Sequence, residues 1–142
     1  MEDWKSGRNS CYTYFKITGY FNPDAISAFL GLFPTKHWHI GDLRNNGTPY
    51  DFALWEYGRC DEYDVLVGNQ MMKTIENLIP KTDALCQIKK QYNVDFTLEI
   101  VPSIYANDVD PSLSPNREVI EFCYKTNTNI DIDLYVFDSS EQ

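Results

Sequence analysis

Asp131, Asp133 and Tyr135 recur at every second residue of the run Ile130–Val136, so on a strand their side chains leave one face. Asp95, Thr97 and Glu99 repeat that spacing within Val94–Ile100, and Tyr12, Tyr14 and Lys16 within Cys11–Thr18. If these strands are neighbours, one sheet face gathers carboxylates and phenols. Carboxylates steer a basic partner during approach, and tyrosine rings anchor it with little side-chain freedom to lose. The expected partner-binding set is therefore Tyr12, Tyr14, Asp95, Glu99, Asp131, Asp133 and Tyr135. Alternation alone also turns polar residues to water, and a plainly solvated sheet face produces the same pattern.

A second group collects Lys36, Trp38, His39, Asp42 and Arg44, with Trp55 further along. Cations, acids and an indole so close in sequence could line a small-ligand pocket. His37 and His39 could share a face, but they are the only two histidines and no third-ligand motif follows, so no metal is expected. The competing account is structural: Gly41-Asp42 suits a turn, and the two tryptophans suit packing of a hairpin on the core. There is no P-loop, no G-x-S-x-G and no G-x-G-x-x-G. No local motif activates a cysteine beside a histidine. With 21 acidic residues, paired carboxylates are inevitable and single out no acid–base couple. These residues point to a non-enzymatic protein-binding domain without a cofactor. The alternative is a small-ligand module or enzyme with its site at the Trp38–Asp42 hairpin.

The elements that must position these residues follow one plan used twice. Strand Tyr12–Ile17, cap Asn22, Pro23 at the first helical position, helix Ala25–Leu32 and strand Phe52–Trp55 form the first half. Strand Val94–Ile100, Ser114-Pro115-Asn116, helix Arg117–Thr126 and strand Ile130–Val136 form the second. Ile26, Phe29, Leu30 and Phe33 recur as one helical stripe. Asn46-Gly47 predicts a hairpin between His37–Leu43 and Tyr50–Tyr57. Helices are expected over Asp64–Ile79 and from Thr82 or Asp83 to Tyr92. The sum is an α+β fold: a ferredoxin-like sandwich built from two β-α-β halves, with a mostly antiparallel sheet and helices on one face. Phe15/Ile17, Phe96/Leu98/Ile100 and Ile132/Leu134/Val136 would all meet those helices.

Bulk properties agree. The 142 residues fit one domain, 1–142, with an ordered core at 10–137 and a frayed tail from Ser139. A hydrophobic content of 43% is ample for a core. The net charge of −9 argues against nucleic acid and anionic lipid as partners and favours a neutral or basic one. The first ten residues lack the apolar run of a signal peptide, which implies the cytoplasm, where four scattered cysteines stay reduced. A monomer or weak homodimer is expected.

The stretch Pro34-Thr35-Lys36-x-Trp38-x-x-Gly41-Asp42 and the pair Leu54-Trp55 are its most characteristic pieces. Together with Tyr14–Ile17, Phe21–Asp24, Leu30-Gly31 and Ile132–Tyr135, they make the chain resemble the bacterial domain-of-unknown-function family 4279. The likeness runs from about residue 11 to residue 137 and implies a single small domain without assigning a catalytic residue. Small cytosolic families of this kind include immunity proteins, so by analogy the basic partner would be a toxin.

Overall fold

In the computed structural model, residues 7–138 are described; the tail expected at 139–142 lies outside them. Strand β1 (Ser10–Gly19) leads to helix α1 (Pro23–Leu30), the short strand β2 (Lys36–Trp38) and strand β3 (Ala53–Cys60). Helix α2 (Val67–Ile75), a 3-10 turn at Ile79–Lys81 and helix α3 (Thr82–Gln91) follow. Strand β4 (Val94–Tyr105), helix α4 (Arg117–Thr126), strand β5 (Thr128–Ile132) and strand β6 (Tyr135–Phe137) complete the domain.

Alternation makes β1 the centre of the sheet. Cys11, Thr13, Phe15 and Ile17 are buried, while Tyr12, Tyr14, Lys16 and Thr18 are half-buried on the reverse. The strand order is β2-β3-β1-β4-β5, with β6 also paired to β4. The β1–β3, β1–β4 and β2–β3 pairs are antiparallel, whereas β5 and β6 run parallel to β4. The result is a mixed α+β domain with a mostly antiparallel sheet.

The two halves are not equivalent. β4, α4 and β5 form a parallel β-α-β unit, but β1 and β3 are antiparallel. Between α1 and β3 the chain reverses once more, through a loop closed by the Leu43–Pro49 bridge and the Gly47 N–H donating to the Arg44 carbonyl. The hairpin expected there pairs Lys36–Trp38 with Leu54–Glu56 and, nearer the turn, joins Gly41, Asp42 and Arg44 to Tyr50 and Thr48 by backbone hydrogen bonds. The ferredoxin-like description therefore reaches as far as a mostly antiparallel sheet carrying helices.

Helices α1 to α4 feed one core. Ile26 and Leu30, then Val67, Met71 and Ile75, then Leu85 and Ile88, then Val119 and Phe122 close on Phe15, Ile17, Trp55, Phe96, Leu98 and Ile100. Burial of such side chains is worth roughly 1.5–3 kcal/mol each. The helix α1 start follows its sequence signal: Asn22 Oδ1 accepts from the Asp24 N–H at 3.0 Å and Pro23 occupies the first turn. Its stripe is shorter than its periodicity, because the helix ends at Leu30. Phe33 lies beyond it, 89% exposed, and Phe29 is on its open flank. Helix α4 spans Arg117–Thr126 as expected, but Ser114 does not cap it and Pro115 precedes its first turn. Its cap position is Asn116, whose side chain donates to Asn69 Oδ1 at 3.4 Å instead of accepting from α4.

Ile132, Leu134 and Val136 depart from expectation. They are 43%, 49% and 67% exposed rather than covered by helices. β5 and β6 form the sheet margin, and α4 reaches the start of β5, where the Thr126 and Thr128 hydroxyls bond at 2.6 Å. Beyond Thr128 the strand is bare. Among the described residues no helix is long and apolar enough to cross a membrane.

Candidate functional site

Among the described residues no helix covers the sheet face opposite α1–α4, and strand register decides what stands on it. Tyr14 is opposite Glu99, and Glu99 is opposite Asp131, so the three form a row across β1, β4 and β5. Lys16 is opposite Glu56 on one side and Thr97 on the other. Its ammonium lies 2.9 Å from Glu99 Oε2. Glu56 is buried and accepts from Thr35 Oγ1 at 2.8 Å. Burial, then the hydrogen bond shared with Asp131, holds the Glu99 carboxyl above its ordinary pKa, against the opposing pull of Lys16. Burial, then the Glu99 and Glu56 carboxylates, pushes the Tyr14 phenol up to about 12, so it stays a neutral donor.

Two further groups flank that row. Tyr12 stacks beside Tyr14 with ring centroids 6.1 Å apart, and the Arg59 guanidinium sits 4.0 Å from the Tyr12 ring centre. Across the face, the Tyr135 hydroxyl donates to Asp133 at 3.2 Å, and this bond raises the phenol's pKa. Tyr105, buried and stacked on Phe137, supports that end. Of the seven residues expected to bind a partner, six thus gather along β1, β4 and the β5–β6 margin. Asp95 shares the face but stands opposite Thr18, about 13 Å along the strand from Glu99. Glu99 itself is spent internally on Lys16 and Asp131 and presents little surface. No ion pair ties Asp131 or Asp133 to a lysine or arginine among the described residues.

Sequence reasoning missed Arg59. Strict alternation would place it with Trp55 and Tyr57 on the helix side. A β-bulge intervenes: Thr13 pairs with Cys60 but Phe15 with Tyr57, so Gly58 and Arg59 together face Tyr14. The extra residue turns Arg59 to the open face. A glycine inside a strand is the signal that could have revealed it.

Of the second expected set, Lys36, Trp38, His39, Asp42 and Arg44 gather along one hairpin and Trp55 stands apart. Trp55 is fully buried on the helix side, stacked on Tyr57, and its Nε1 donates to Ser27 Oγ at 3.0 Å. Trp38 stacks on Tyr50 at 3.8 Å and donates Nε1–H to the Phe52 carbonyl at 2.9 Å. Lys36 lies 5.6 Å from the Trp38 ring and Arg44 4.5 Å from that of Tyr50. These rings and cations pack on one another at the surface. His39 turns toward α1: Nε2 is 2.9 Å from Asp24 Oδ2, and its backbone N–H donates to Asp42 Oδ2 at 2.7 Å. The bond to Asp24, aided by both carboxylates' charge, raises the imidazole pKa.

Elsewhere the chemistry is spare. A shallow cleft of about 590 Å³ between α3 and α4 is walled by Cys86, Phe122 and several charged residues, of which Glu121 and Lys125 pair with each other at 2.8 Å. Cys11 and Cys123 are buried, which lifts their thiols to about 12 and about 11 and leaves them inert. Among the described residues no cluster of three or more His, Cys, Asp or Glu is placed to hold a metal ion.

An α+β domain with one helical layer and one open, tyrosine-bearing sheet face is the class that fold and face define. A family model described as "Domain of unknown function (DUF4279)" matches residues 9–137, and the chain belongs to that family. No curated protein and no solved structure matches the chain.

Proposed function

We propose that this chain is a non-enzymatic protein-binding domain that docks the open face of its sheet on a basic partner. One observation carries the reading: among the described residues, the row of Tyr12, Tyr14, Asp131, Asp133 and Tyr135 stands on a sheet face without a helix over it, and its outer carboxylates meet no cation. The acidic groups Asp95, Asp131 and Asp133 lie toward β4 and β5, while Lys36 and the Asp61-paired Arg59 lie toward β2 and β3, so negative charge without an ion-pair partner among the described residues concentrates at the β4–β5 side. A basic surface oriented by that gradient would meet the tyrosine rings as anchors once water is expelled. The role that fits is an immunity-type inhibitor of a basic toxin acting in the cytoplasm, with the net charge of −9 speeding encounter.

The test takes the protein encoded by the neighbouring gene and measures its association with the wild-type chain and with Asp131→Lys/Asp133→Lys. The double reversal slows association about tenfold or more, and added salt slows the wild type in the same sense. Association indifferent to both reversals and to salt removes this face as the docking surface.

A further inference from the structure

Ile130, Ile132, Leu134 and Val136 alternate with Asn129, Asp131, Asp133 and Tyr135 in one unbroken register. Ile100 pairs with Ile132 and Ser103 with Tyr135, so β5 and β6 are a single margin interrupted at residues 133–134. This is the pattern of a covered strand, yet all four aliphatic side chains are exposed. The Asp133 N–H donates to the Ile100 carbonyl at 2.8 Å, which sets the pleat. Backbone groups of Asp131 and Asp133 therefore face β4, and those of Ile130, Ile132 and Leu134 face outward. On that outer side no strand follows among the described residues.

We propose that this margin binds its partner by strand addition, taking an extended segment in which apolar residues alternate with lysine or arginine. The proposal rests on the open-face reading and adds the mode of docking. Directly opposed residues in an added strand share a face. Apolar side chains opposite Ile130, Ile132 and Leu134 would cover the exposed aliphatic row. Cationic side chains beside Asp131 and Asp133 would meet two carboxylates that lack a cation partner among the described residues. Main-chain hydrogen bonds supply affinity and the alternate side chains supply choice of sequence.

A second copy of the chain fits poorly. Antiparallel pairing about a two-fold axis at Ile132 sets Asp131 opposite Asp133 of the other copy, twice, and like charges directly opposite are destabilising. Placing charge on a bare edge in this way guards it against self-association. The opposite margin, β2, offers only three residues.

The probe is a short blocked peptide alternating lysine and valine, added to the full chain, with amide hydrogen exchange followed residue by residue. The Ile130, Ile132 and Leu134 amides become about tenfold or more protected at saturation. That protection disappears when the peptide is N-methylated at its valines, whose N–H groups would point at the margin. It also disappears in Ile132→Pro, which removes an N–H that β4 does not use, and with a glutamate–valine peptide. Protection that survives N-methylation overturns strand addition while leaving face docking in place. Absence of protection at saturating lysine–valine peptide overturns it as well. Concentration-dependent protection without peptide assigns the margin to a second copy and overturns it too. Failure of the open-face reading is recognised separately, by association that ignores Asp131→Lys/Asp133→Lys.

Discussion

The Lys16 ammonium lies 2.9 Å from the Glu99 carboxylate, but the carboxyl it meets is held above its ordinary pKa. Burial and the neighbouring Asp131 act on Glu99 more strongly than the cation does. Lys16 therefore compensates a carboxylate that the fold would otherwise reject, rather than adding a bond of independent worth.

An asymmetry between the two partners follows. Lys16→Met leaves Glu99 enclosed beside Asp131 without a cation and costs about 1–3 kcal/mol of stability. Glu99→Gln removes the disfavoured charge and costs less than about 1 kcal/mol. The pH dependence has a definite sign. Because the folded-state pKa lies above the unfolded one, this group's contribution is complete below the unfolded glutamate value and is lost as pH rises through the raised one. Urea titrations across that window show the step in the wild type and its absence in Glu99→Gln. A larger loss in Glu99→Gln than in Lys16→Met would contradict the assignment.

How much of this was legible in the chain depends on what each residue's neighbours required. The alternation of Phe15 and Ile17 against Tyr14 and Lys16 has a period of two that nothing later overrides, so the face of each residue follows at once. Asn22-Pro23 likewise acts locally, through the Asp24 N–H. Ile132, Leu134 and Val136 carry the same alternation, but whether such a strand is covered depends on how far the helical layer extends. That is a long-range property absent from the local pattern. Trp38 and Trp55, adjacent in a sequence motif reading, face opposite sides because pairing of Trp38 with Leu54 puts Trp55 on the alternate face. Arg59 was hidden by the bulge at Gly58.

His39 ties the loop after β2 to the first turn of α1, and its protonation is coupled to that tie. Its raised pKa means that the link's stabilisation is fully present below the ordinary histidine value and fades as pH climbs through the elevated folded one. The group is exposed, so solvent and salt keep the effect small. The sharper readout is the imidazole itself. In an NMR titration the His39 midpoint lies above the ordinary value and returns to it in Asp24→Asn. A midpoint unmoved by that substitution would mean that the bond to Asp24 is not what raises it.

Gly58 holds the open face and the helical layer in register. Its φ of +74° is disfavoured for residues with a Cβ, and it abuts the Thr74 carbonyl of α2, into which an added Cβ would run. The same contact region carries buried bonds between α2 and the sheet: Thr13 Oγ1 with Thr74 Oγ1 at 2.7 Å, and Gln70 Nε2 donating to the Cys11 carbonyl at 2.7 Å and the Cys60 carbonyl at 3.0 Å. Gly58→Ala therefore strains the bulge and pushes α2 off these partners, at a cost of about 2–4 kcal/mol. Gly47 supplies the comparison, because its φ is +86° with nothing within 4 Å of an added Cβ. Gly47→Ala pays strain alone, about 1 kcal/mol. Urea unfolding of the two variants separates conformational strain from the clash with α2. Equal losses would show that the Thr74 approach contributes nothing beyond the backbone angle. A larger loss at Gly58, with the Tyr12 ring resonances shifted, would show that the bulge also sets Arg59 on the open face.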